Sequence, residues 1–166
     1  LESARTEGRT IFVAGNGGSA TTATSMANDL GFDILKKTGV EHTFRVHALT
    51  DNLAAITAVA NDVGYDRIFL DQMRIHFRPG DTLIVISASG NSPNVLKAAD
   101  WVKSKGGTII GFLGFSGGEL IDLCDTHLEI PMRGIKQSLN VAVAAGIIGY
   151  EVLRYYNTYD KLKDKL

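Results

Sequence analysis

Residues 10–20 read TIFVAGNGGSA. A β-branched and apolar run passes through three glycines in four residues, meets a serine and continues into a segment with helical spacing. The same construction returns in TLIVISASGNSPNV, residues 82–95, with Pro93 placed as in the first turn of a helix. Each stretch is a strand–turn–helix unit. Working outward, FRVHAL (44–49), TIIGFLG (108–114) and THLEIP (126–131) also read as strands. Several are apolar at nearly every position, as befits strands covered on both faces of a parallel sheet. Helices are expected over 19–36, 51–60, 65–77, 93–105 and 135–156, with Asp51 capping the helix that begins LAAITAVA. This alternation predicts an α/β fold, a flavodoxin-like three-layer sandwich around a doubly wound five-stranded parallel sheet. No tandem repeat or linker tract divides the chain, so residues 1–166 are expected to form one domain.

The chain has 166 residues, 45% hydrophobic, enough for a core without disulfide or metal staples. The lone Cys124 excludes a disulfide scaffold and reads as a small buried hydrophobe. Seventeen basic and 18 acidic residues give a net charge of −1, which argues against a nucleic-acid partner held by bulk electrostatics. No run reaches ~18 apolar residues, so no membrane span is expected. The opening LESARTEGR lacks both an initiator Met and a signal-peptide core, which suggests a cytoplasmic chain that starts inside a longer parent.

Both turns fall at strand carboxyl ends, where doubly wound sheets bind ligands. Glycine lets the backbone approach a ligand closely, and unpaired N–H groups at a helix start attract anions. Ser19 in the first turn, and Ser87, Ser89 and Ser92 around Gly90 in the second, add hydroxyls. Such neutral pockets suit the phosphate of a sugar phosphate, or an inorganic anion. The alternative is a pair of tight connections with serine caps. No lysine follows the glycines and GxGxxG spacing is absent, so neither a P-loop nor a dinucleotide fingerprint fits.

With these residues in view, the chain resembles the sugar isomerase (SIS) domain family, and within it the phosphoheptose isomerase branch. The matching segments are IFVAGNGGSATTATSMANDL (11–30), ALTDNLAAITAVANDVGYDRIF (48–69), RPGDTLIVISASGNSPNVLKAADWVKSKGG (78–107) and IIGFLGFSGGELIDLCDTHLEIP (109–131). The resemblance implies that Ser19, Ser87, Ser89 and Ser92 hold phosphate while Asn16, Gly17 and Gly18 shape the turn. Asn52 and Asp62 match polar pocket positions of the family; capping and loop hydrogen bonds are their alternative reading. It also implies sedoheptulose 7-phosphate as the substrate class and a homodimer or tetramer as the assembly.

The catalytic set departs from the family. The resemblance places a His and a Glu on the helix after GNGGS, where this chain has Ser25 and Asp29. It places a Gln and a His on the last helix, where this chain has Lys136 or Gln137 and then Ala144. Asp29 is the one candidate base. His42, His47, His76 and His127 are scattered without ligand spacing, and His47 reads as a packed or edge residue. No metal and no cofactor are expected, and catalysis should be impaired or absent. A non-catalytic regulatory or structural role is the alternative.

The tail IPMRGIKQSLNVAVAAGIIGYEVLR (130–154) resembles instead the last motif of SpoU-type RNA methyltransferases, and LGFSGGEL that family's glycine-rich loop. This suggests either convergence on a small-residue packing helix or a composite, engineered chain joined near residue 131. The weaker alternative it implies is an S-adenosylmethionine binder.

Overall fold

The structure is a computed structural model that describes residues 1–39, 42–129 and 146. Contacts within the chain divide it after Glu129, and the described unit is Leu1–Glu129. The expected helix 135–156, the junction near 131 and the methyltransferase-like tail lie outside the described residues, Gly146 apart.

The five expected strands form: β1 (Thr10–Gly15), β2 (Arg45–Ala48), β3 (Thr82–Ser87), β4 (Thr108–Leu113) and β5 (Thr126–Leu128). They pair in parallel in the order β2-β1-β3-β4-β5, the flavodoxin-like arrangement. Alternation along the strands divides the core. Phe12, Ala14, Leu83 and Val85 face α5 (Leu70–His76) and α6 (Pro93–Ser104), whose Met73, Val95, Ala98, Ala99 and Val102 are wholly buried. Ile11, Val13, Ile84 and Ile86 are equally buried on the opposite face, and α2 (Gly18–Ala27) contacts β1, β2 and β3.

Two expected helices are broken. The segment 19–36 becomes α2, a π-helical turn over Asn28–Asp33, and α3 (Ile34–Thr38) after the short N-terminal α1 (Glu2–Thr6). Gly31, a poor helix former, sits inside the π-helical turn. The segment 65–77 becomes a 3₁₀ turn (Tyr65–Arg67) and then α5. Between these, α4 (Leu53–Asp62) is capped by Asn52, whose Oδ1 accepts from Ala55 N at 3.0 Å. Asp51 is therefore not the cap; its carboxylate accepts from the Thr24 hydroxyl at 2.6 Å instead.

At the amino end of the sheet one buried carboxylate aligns three strands. Asp81 accepts from Thr10 N at 2.9 Å and Arg78 N at 2.8 Å, and its backbone carbonyl accepts from Thr108 N. Asp125 does the same further along, accepting from Ile109 N at 2.8 Å. Cys124 packs half-buried with its Sγ against Gly111, and burial pushes the pKa of its thiol up to about 11.

His47 lies on the edge strand β2, as its pattern suggests. Its ring stands 5.7 Å from Phe12 and 5.5 Å from His76, in a cleft of about 280 Å³ that Thr10, Arg45 and Val46 complete. Burial, and then the charge of His76, hold its imidazole below the usual value, while Asp51 opposes them.

Asp81→Ala loses two hydrogen bonds to a charged group, each contributing about 1.5–3 kcal/mol, and should lower unfolding free energy by about 3 kcal/mol or more in urea titrations. For His47 the folded value lies below the unfolded one, so the unfolded chain binds more protons between them. Its stabilising contribution is complete above about pH 6.5 and is lost as pH falls through that range. His47→Gln should therefore show a shallower fall in melting temperature between about pH 7 and 5 than the parent chain.

Candidate functional site

Sheet order places the two serine turns side by side. β1 and β3 are neighbours, with Gly15 opposite Ile86, and the chain leaves β1 toward one edge and β3 toward the other. This is the switch point at which such sheets bind ligands.

The first turn begins where Gly15 passes close to both Ser19 and the neighbouring strand. A Cβ there would stand 2.6 Å from Ser19 Cβ and 2.9 Å from Ile86 O, so no side chain fits. Gly17 is the N-cap of α2, and nothing lies within 4 Å of where a Cβ on Gly17 or Gly18 would be. The amide N–H groups of Gly17 and Gly18 have no hydrogen-bond partner among the described residues. Ser19 is buried in the first helical turn, and its hydroxyl is likewise unpartnered there. Open space, two free N–H groups and one hydroxyl meet at the amino end of a ten-residue helix.

The second turn is held more tightly. Buried Ser87 Oγ accepts from Gly90 N at 3.0 Å, and Ser89 Oγ from Asn91 N at 3.3 Å. Ser92 is the N-cap of α6, yet its side chain makes no capping bond, so its hydroxyl stays available. Gly90 adopts φ +65, and a Cβ there would lie 1.8 Å from Gly117 O. That contact comes from the loop GFSGGE (114–119), which also donates Glu119 N to Asn91 Oδ1 at 2.9 Å; Leu120 N reaches Gly90 O. Glycines in LGFSGGEL thus let this loop press against the second serine turn.

One contact joins the turns directly. Asn16 Nδ2 donates to Asn94 Oδ1 at 2.9 Å, and Asn94 Nδ2 donates back to Asn16 Oδ1 at 2.8 Å. Tyr65 adds its hydroxyl to Asn16 Oδ1 at 3.1 Å. Sequence reasoning missed Asn94 and Tyr65. Asn94 left a signal: it is polar at a position four before Ala98, within the buried stripe of α6.

Asn16, Gly17, Gly18, Ser19, Ser87, Ser89 and Ser92 therefore lie on two adjoining turns. Asn52 Oδ1 is engaged in capping α4, and exposed Asp62 at the end of α4 accepts from Asn61 Nδ2 at 2.7 Å. No hydrogen bond joins either residue to the serine turns. Asp29 is exposed in the π-helical turn and accepts from Asn28 Nδ2 at 2.9 Å, while Ser25 is exposed on α2.

Zinc needs three or four ligands from His, Cys or carboxylate, and this donor set does not fit it. Of the positions implied by resemblance, Ser25 is a poor ligand and Asp29 is a single carboxylate. Among the described residues no three such groups cluster. No helix of the described residues is long and apolar enough to cross a membrane.

The sequence matches the SIS domain family over residues 1–114. It is 40% identical over 144 residues to a phosphoheptose isomerase of Rhodospirillum rubrum, covering 87% of this chain and 74% of that protein. A phosphoheptose isomerase of Burkholderia pseudomallei is 40% identical over 129 residues, 75% of this chain, and the chain spans only 62% of that relative. In fold it is similar to the phosphoheptose isomerase structure from Neisseria gonorrhoeae, with TM-score 0.68 and 34% identity over 78% of this chain and 67% of that one. The match to the R. rubrum protein, at 144 residues, is longer than the segment that precedes residue 131, so it runs into the tail. The chain belongs to the SIS domain family, and its relatives there at 40% identity are phosphoheptose isomerases.

Proposed function

We propose that the chain is a phosphosugar-binding SIS domain, one domain over residues 1–166, whose paired serine turns take the phosphate of a sugar such as sedoheptulose 7-phosphate. The observation that carries this reading is the juxtaposition of the turns through Asn16 and Asn94, with unspent donors on both sides. Hydroxyls of Ser19, Ser89 and Ser92 and the N–H groups of Gly17 and Gly18 would surround the phosphate oxygens. Buried Ser87 supports the second turn by accepting from Gly90 N, and its own O–H remains to be donated. Asn52 and Asp62 serve α4 and its end.

Isomerisation of an aldose to a ketose moves a proton between neighbouring carbons and needs a positioned base and a polarised carbonyl. Asp29 would be the base. Its carboxylate is one carbon shorter than the Glu of the family pattern, and Ser25 stands in place of the His. Loss of such groups costs roughly 10²–10⁴-fold in rate. Impaired catalysis follows, and with it the second reading of a regulatory phosphosugar sensor. The composite and S-adenosylmethionine readings rest on residues 130–154 alone and gain no support from the described residues.

A homodimer or tetramer is proposed on a separate ground. Helix α4 has no buried residue, and Leu53, Val63 and Tyr65 are 71%, 57% and 58% exposed.

Three measurements test the reading. Millimolar sedoheptulose 7-phosphate should raise the melting temperature more than equal inorganic phosphate does; ligand at 100 times its dissociation constant stabilises by about 2.7 kcal/mol. Ser89→Ala with Ser92→Ala should weaken sugar-phosphate binding by at least about tenfold, each lost bond to a charged group contributing about 1.5–3 kcal/mol. Unchanged affinity in that double variant would remove the central claim. In a discontinuous turnover assay, isomerisation should run about 10²-fold or more below that of the 40%-identical relatives.

A further inference from the structure

We propose that Asn94 is a positioning residue that fixes which edge of the Asn16 carboxamide meets the ligand. This deepens the phosphosugar reading and rests on it. A backbone N–H can only donate. Val95 N–H is shared between Ser92 O and Asn94 Oδ1, each at 3.0 Å. An Nδ2 in place of that Oδ1 would set a donor against this N–H, so the atom is an acceptor and the Asn94 amide is disfavoured from turning over. Its Nδ2 then has to donate to the atom facing it on Asn16, which must be the oxygen. Asn16 Nδ2 in turn gives one N–H back to Asn94 Oδ1. The Tyr65 hydroxyl agrees with this assignment, since it supplies Asn16 Oδ1 with a second donor.

One N–H is left over. Both lone-pair directions of Asn16 Oδ1 are used, by Asn94 Nδ2 and by Tyr65. Of the two N–H bonds on Asn16 Nδ2, one goes to Asn94 and the other has no partner among the described residues. Asn94 is 2% exposed and unreachable by ligand, whereas Asn16 is only partly buried, beside the free N–H groups of Gly17 and Gly18. Asn16 therefore offers a donor and not an acceptor. It is matched to a sugar carbonyl or hydroxyl oxygen next to the phosphate. Without Asn94 the carboxamide can turn over and present its oxygen, which would face a lone pair with a lone pair.

The reciprocal pair also sets the spacing of the turns, because Asn16 ends one strand unit and Asn94 opens the helix of the other. A ligand that uses both turns needs that spacing. Both the sugar phosphate and inorganic phosphate do, but only the sugar phosphate has a further oxygen to accept the free Asn16 N–H.

Calorimetric titration of the parent chain, Asn94→Ala and Tyr65→Phe, each with sedoheptulose 7-phosphate and separately with inorganic phosphate, tests the inference. Asn94→Ala should lose about tenfold more affinity for the sugar phosphate than for inorganic phosphate. Tyr65→Phe, at a side chain that is 58% exposed, should show the same split at about threefold. A merely structural role would lower both affinities together with the melting temperature. Equal losses for the two ligands, or none in either variant, would overturn the inference and leave the phosphosugar reading in place. If Asn94→Ala does not fold, Tyr65→Phe decides, and unchanged sugar-phosphate affinity there overturns it. No sugar-phosphate binding by the parent chain would overturn both.

Discussion

Gly15 and Ile86 meet across the β1–β3 ladder at a distance no side chain could share, and the two serine turns are arranged around that approach. The missing Cβ lets Ser19, at the start of α2, settle directly beside the backbone of the neighbouring strand. The first turn is thereby drawn over the end of β3, within reach of the second. An alanine at position 15 would have to displace either the helix or the strand. With both in place, Asn16 and Asn94 fall close enough to pair, and the pair makes two local turns into one site.

Neither serine turn contains a Lys or an Arg, so an anion seated between them would be held without a cation from either. Lys97, on α6, is engaged with Asp66 in an ion pair that is half-exposed. What remains are hydroxyls and backbone N–H groups, strengthened by the amino ends of two helices. Such donors are fixed in direction, which rewards a ligand of the right shape more than one of the right charge. A neutral cradle also suits a chain with a net charge of −1, which offers little long-range steering to anions in general.

Much of this was legible in the sequence because it depends on local chemistry. Continuous apolar runs marked the central strands β1 and β3, which are buried on both faces, while the edge strands β2 and β5 had to be read from shorter, mixed runs. Glycine and serine at strand ends located the turns. Other features were not legible, for reasons that differ. Asp51 and Asn52 are equally good caps by residue type, and only the position of Thr24 in space assigns Asp51 elsewhere. The break in the expected helix 19–36 left only Gly31 as a trace, and glycine is tolerated in many helices. Asn94 could have been noticed as a polar residue in an apolar stripe, but its partner is 78 positions away. Pairings at that separation are set by sheet order, and sheet order is not a local property.

Binding and chemistry consequently have different supports in this chain. The proposed binding donors sit on turns that strand pairing, a pressed glycine loop and a carboxamide pair all hold in place. The candidate base has none of these. Asp29 lies on an exposed π-helical turn, with the adjacent Asn28 as its hydrogen-bond partner and Ser25 one turn before it. A base that transfers a proton at carbon must be held within hydrogen-bond reach of one atom. A phosphate, with several equivalent oxygens, can accept many combinations of donors. On the proposed reading, Ser25 and Asp29 bear on catalysis alone and leave the turns untouched. A SIS domain can in this way keep its ligand while giving up its reaction, and the split between rigid turns and a loosely held carboxylate is the physical form that such a separation would take.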